Sequence, residues 1–162
     1  MQLGIGAAAL LALGGGAVAL FEPGLHRGRL TAAGRLVFSR VGAAVLDGVL
    51  PTEPAQRDVA LAGFYGRVQA LISALPAHAQ QELSQLLALL STSAGRHALA
   101  GLAAYWPDAS LPQVQAALDA MRRSPLALRA QAYQALHDIS GAAYFSGRGT
   151  WAVLGYPGPA QA

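Results

Sequence analysis

Apolar positions recur along the chain at helical spacing, and proline, glycine and capping residues punctuate them. Leu36, Val37, Val41, Val45 and Val49 form one stripe. It predicts a helix from a Thr31 cap to about Leu50, stopped by Pro51-Thr52-Glu53-Pro54. A second helix follows, with Asp58 in its first turn and Val59, Ala62, Tyr65, Val68, Leu71, Ile72 and Leu75 facing inward. Pro76 suits the first position of a third helix, whose stripe is Leu83, Leu86, Leu87 and Leu90. Ser93 caps a short fourth helix ending near Tyr105-Trp106-Pro107. A fifth, capped by Ser110, presents Val114, Leu118 and Met121. Ser124-Pro125 supplies cap and first position for a sixth, presenting Leu128, Ala132, Leu136, Ile139 and Ala143. No useful stretch alternates with period two, so no sheet is expected. The fold class is all-α: a small bundle of about six short helices, with an apolar N-terminal helix and an irregular aromatic C-terminal tail.

Three segments follow: 1–22, the bundle at 23–144, and a tail at 145–162. Leu3 to Phe21 carries no charged residue. As a helix it would be roughly 28 Å long, close to the hydrocarbon thickness of a bilayer. An export signal and a membrane anchor compete, with a buried central helix of a soluble bundle as the third reading. Five glycines weaken a retained span, and Ala17-Val18-Ala19 has the small-x-small pattern of a cleavage site. The run looks like the core of a twin-arginine signal without its arginine pair. Arg27, Arg29, Arg35 and Arg40, just after it, would by the positive-inside bias stay cytoplasmic.

The tail holds Gly147, Gly149, Gly155, Pro157, Gly158 and Pro159, so neither helix nor strand runs through it. Yet Tyr144, Phe145, Trp151 and Tyr156 crowd there. Each such ring hides on the order of 150–250 Å². They either fold back on the chain's own bundle or dock into another chain, where Tyr and Trp are frequent anchors. The partner-binding candidates are therefore Tyr144, Phe145, Trp151, Tyr156, Pro157 and Pro159.

Composition sharpens this. Hydrophobic residues are 54% of the chain and charged residues only 12%, against about 25% in typical soluble domains. Some apolar surface is expected to meet a membrane or a partner. The absence of cysteine excludes disulfides, thiolate metal sites and a cysteine nucleophile. The net charge of +3 is too small and scattered for a nucleic-acid binder.

Candidate chemistry is sparse. His26, His78, His97 and His137 show no metal-ligand spacing, and the adjacent His137 and Asp138 are expected to diverge on a helix. Asp47, Glu53 and Asp58 read as caps or arginine partners. Gly14-Gly15-Gly16 and Gly147-Arg148-Gly149 lack the strand–loop–helix frame of a phosphate site. Ser39, Ser91 and Ser93 lack a nucleophile elbow. No active site is legible, and no cofactor or metal site is expected in the chain.

Tyr144-Phe145, a glycine turn, Trp151 and Gly155-Tyr156-Pro157-Gly158 together resemble the closing segment of the gluconate 2-dehydrogenase small (third) subunit family. Ala44-Val45-Leu46-Asp47 leading to Val49-Leu50-Pro51, and the later Leu75-Pro76 with its Leu-rich helix, are similar too. The resemblance implies a non-catalytic accessory subunit of a large flavoprotein of the glucose–methanol–choline (GMC) oxidoreductase type, which it stabilises and helps to export. It further implies a periplasmic heterodimer, FAD in the partner, and a cytochrome c subunit as electron acceptor. The segment between Phe145 and Trp151 is shorter than in many relatives, so the partner's substrate, whether sugar, alcohol or sterol, stays open. The competing readings are a membrane-anchored structural protein using residues 3–21, a small haem- or metal-carrying electron-transfer protein, and an autonomous enzyme.

Overall fold

A computed structural model describes residues 22–147 of the chain. Within them the order is β1 (Leu25–His26), β2 (Arg29–Leu30), α1 (Ala32–Val45), α2 (Pro54–Ala74), α3 (Ala77–Ser91), α4 (Ser93–Gly95), α5 (Leu111–Arg122) and α6 (Ala127–Phe145). A π-helical turn, Arg96–Ala100, continues α4, and a 3₁₀ turn, Trp106–Asp108, precedes α5. This is the expected all-α bundle with about six helices. The expected apolar helix at residues 3–21 lies outside the described residues, and no described helix is long and apolar enough to cross a membrane.

The sheet that periodicity did not predict is a two-residue antiparallel ladder pairing Leu25 with Leu30 and His26 with Arg29. Two residues per strand are too few to show an alternation. The turn carries the signal instead. Arg27 (φ 49°) and Gly28 (φ 71°) both lie in the left-handed region, as a type I′ hairpin requires. Leu25 N–H donates to Ser84 Oγ at 3.0 Å and Leu30 N–H to Gln69 Oε1 at 2.9 Å, so the hairpin is tied to α3 and α2.

Thr31 caps α1 as expected, accepting from Gly34 N–H at 3.3 Å. The helix stops at Val45 rather than near Leu50, in a turn around Gly48, whose φ of 85° no helix accommodates. Helix α1 is the centre of the bundle, packed on α3, α5 and α6. Val37, Phe38 and Val41 are wholly buried there.

The inward face of α2 differs from the expected one. Phe64, Val68 and Ile72 are its buried residues, whereas Val59 is 74% exposed and Ala62 is exposed. The spacing 64, 68, 72 places the buried stripe four residues apart, and Val59 falls off that line. Most of the start of α2, residues 54–59, is exposed, and Ala60 and Leu61 are the first to pack against the core. Glu53 caps it, its carboxylate accepting from the Ala55 and Gln56 N–H groups.

The α3 stripe is as predicted, with Leu83, Leu86, Leu87 and Leu90 buried, although Pro76 occupies the cap position and the helix begins at Ala77. Thr92, not Ser93, caps the following turn, accepting from Gly95 N–H at 3.0 Å. The expected fourth helix to Trp106 is broken at Gly101, where φ is 67°. Trp106 is 1% exposed and donates its indole N–H to Leu90 O at 2.7 Å. Ser110 and Gln113 form a capping box on α5, which buries Val114, Leu118 and Met121. Helix α6 starts at Ala127, two residues beyond the expected start. Ser124 Oγ accepts from Leu126 N–H but does not cap the first turn.

Candidate functional site

Of the six partner-binding candidates, Tyr144 and Phe145 fall in the described residues; Trp151, Tyr156, Pro157 and Pro159 lie outside them. Nothing between Ala127 and Phe145 breaks a helix, so α6 runs through both rings. Tyr144 is 3% exposed, its hydroxyl donates to Val49 O at 2.8 Å, and it packs edge-on against Phe145. Phe145 is half-buried against the core. Tyr144 thus fastens the end of α6 to the turn after α1, within its own chain.

The exit of the chain from α6 is also fixed. Arg67 of α2 donates from Nε to Ala143 O at 2.6 Å, and a Cβ built on Gly147 would sit 3.0 Å from Arg67 Cζ. The described chain therefore ends on the flank of α2. Beside that point α2 shows its outer face, where Ala55, Val59, Ala62, Gly63, Gly66 and Ala70 are all exposed. Their spacing keeps them on one side over about 22 Å of helix. A Cβ at Gly66 would meet nothing within 4 Å, so this part of the face is open among the described residues.

The histidines do not converge. His26, His78 and His97 are exposed on separate elements, and no group of three or more His, Asp or Glu among the described residues could hold a metal ion. His137 and Asp138 do not diverge as expected: His137 Nδ1 lies 3.3 Å from Asp138 Oδ1. Both side chains are exposed at the surface of α6, where they meet. The His137 ring also stacks on Tyr133 at 5.3 Å.

Those two rings form one wall of a groove of about 230 Å³ between α1, α5 and α6. Asp119 and Arg122 form its rim. The Arg122 hydrogen bond at 2.9 Å, with the neighbouring Arg123, holds the Asp119 carboxyl below its usual range. The rim charges thus satisfy each other. The groove is smaller than the ~300–1,000 Å³ typical of small-molecule sites.

Sequence reasoning did not single out Arg96. It begins the π-helical turn and is 4% exposed. The signal was available: Arg96 stands three and four residues before Leu99 and Ala100, on an apolar face where a charge needs a reason.

No family model, no curated protein and no solved structure matches the chain.

Proposed function

We propose that the chain is a non-catalytic small subunit that binds, stabilises and helps export a large FAD-containing dehydrogenase of the GMC type. One observation carries the reading. The end of α6 is anchored by Tyr144 and Arg67 beside a face of α2 that the bundle leaves bare. Residues 148–162, which include Trp151 and Tyr156, continue from that point. Exposed apolar surface, together with an aromatic-rich sequence that continues from the end of α6, has the composition of a protein interface. A charged share of 12% fits a chain that works with part of its surface covered. The nature of the partner comes from the resemblance of the closing segment to the gluconate 2-dehydrogenase small subunits. In this reading FAD and substrate chemistry belong to the partner, a cytochrome c subunit accepts the electrons, and the complex is periplasmic.

The test is purification of the full chain from its native cells. A large, yellow, flavin-containing protein should co-elute at fixed stoichiometry. Val59→Arg should lower the recovered flavin by about tenfold, the size of a moderate interface contact, and leave the thermal midpoint of the chain unchanged. A chain that purifies as a colourless monomer overturns the proposal.

A further inference from the structure

Arg96 is a buried arginine with an enclosed Nε and no acidic partner among the described residues. The residue is 4% exposed, and none of the described carboxylates lies within 4.0 Å of it. Its Nη1 reaches only the Thr92 carbonyl, at a marginal 3.5 Å, and its Nε is enclosed with no partner. The one other neighbour of note is Tyr105, whose ring centroid is 5.8 Å from Cζ. That ring is itself 49% exposed.

Burying a charge without a counter-charge is among the more costly arrangements in a protein. A cation–π contact offsets only part of that cost. An arginine cannot escape by losing its proton, because its guanidinium stays charged at all ordinary pH. The described residues therefore hold a cation for which they supply no counter-charge. With Nη1 turned to Thr92, the Nε–Nη2 edge is the one left over. That edge presents two parallel N–H donors, which match the two oxygens of a carboxylate.

We infer that Arg96 is a carboxylate-binding site and that Tyr105 is its movable cover. The ring lies 5.8 Å from the guanidinium carbon and is 49% exposed, so it is the part of this site that meets water, and in this proposal it turns outward when a ligand binds. A carboxylate entering beneath it would accept both hydrogen bonds. The inference is independent of the flavoprotein reading, since the site faces neither α2 nor the end of α6. The carboxylate has two sources, a free organic acid or an acidic side chain of a bound protein, and the two are separable by experiment.

The test titrates the isotopically labelled full chain with succinate, with a blocked Ala-Glu-Ala tripeptide, with inorganic phosphate, and with sodium chloride as the ionic-strength control. The readouts are the Arg96 Nε–H resonance and the indole resonance of the neighbouring Trp106. One carboxylate probe should shift both saturably, with binding at least about tenfold weaker in Arg96→Gln. Arg96→Lys, which keeps the charge but not the fork, should resemble Arg96→Gln. Tyr105→Ala should bind more tightly than the wild type, because no ring has to be displaced. Tighter binding of succinate identifies a free acid, and tighter binding of the tripeptide identifies a protein side chain. Separately, Arg96→Met should raise the thermal midpoint by roughly 4 °C, as relief of a buried unpaired charge implies. No saturable response to either carboxylate, an equal response in Arg96→Gln, or phosphate binding as tightly as the carboxylates overturns the inference.

Discussion

Gly42 lies in the middle of α1 with the ring of Phe64 against it. A Cβ added there would sit 2.4 Å from Phe64 Cε1 and 2.8 Å from Cζ, where ordinary contact begins at 3.4 Å. The ring must therefore retreat by about 1 Å in Gly42→Ala. It has little room to do so, being wholly buried and braced edge-on by Tyr65 at 5.3 Å. Overpacking of this kind costs about 1–3 kcal/mol. Against it stands the helix preference for alanine over glycine, about 0.8–1.0 kcal/mol. The net expectation is a loss of roughly 1 kcal/mol.

Gly66→Ala makes the same chemical change in α2 where nothing lies within 4 Å, so it should show the gain alone. Propensity cancels between the two variants, and the difference in their stabilities isolates the contact with Phe64. Urea unfolding reads this directly, provided the slopes of the transitions agree. Phe64→Leu, which removes the atoms that clash, should make Gly42→Ala less damaging in the double variant than in the single one. Equal upward shifts of the midpoint in Gly42→Ala and Gly66→Ala would refute the close approach of Phe64 to Gly42.

Burial raises the pKa of Tyr65 above its ordinary 10.0, with the Arg40 charge working against it. The folded value exceeds the unfolded one, so the contribution to stability is full below about pH 10 and is lost as pH rises through the folded value. Unfolding midpoints measured from about pH 8 to about pH 11 should fall more steeply in the wild type than in Tyr65→Phe; parallel curves would contradict this. Ser140 is wholly buried and its hydroxyl has no partner. Ser140→Ala should therefore stabilise the chain by about 1 kcal/mol in the same urea assay, and a loss would show that the hydroxyl is satisfied after all.

The parts of the fold that sequence made legible are those where bulky and polar residues alternate at helical spacing. Leu83, Leu86, Leu87 and Leu90 could face only one way, and so could Val114, Leu118 and Met121. Helix α2 resisted because alanine and glycine occur all round it and do not discriminate between faces. Val59 then looked like an inward residue, although the bulk of Phe64 decides the orientation. The break at Gly101 and the π-helical turn before it have no periodic signature. At the C-terminus, the density of rings was legible, but not that an unbroken helix to Phe145 carries Tyr144 into contact with the turn after α1. Arg96 was legible as a charge on an apolar face, but its lack of a counter-charge is a property of three dimensions alone.

With Tyr144 committed to the bundle, the case for a partner shifts toward the outer face of α2, and physical cost supports the shift. Two glycines, Gly63 and Gly66, stand exposed in the interior of a 21-residue helix. Neither has a positive φ, and among the described residues nothing prevents a Cβ at position 66. Gly66 therefore forgoes about 1 kcal/mol relative to alanine, whereas a Cβ at Gly63 would sit 3.1 Å from Arg67 Nη1. A glycine on an open face lets another backbone approach closely, which is what the proposed partner would use. The same logic applies to Arg96, a buried charge that weakens the free chain. In both places the proposals above supply what the free chain lacks: a partner surface over α2 and a carboxylate on Arg96.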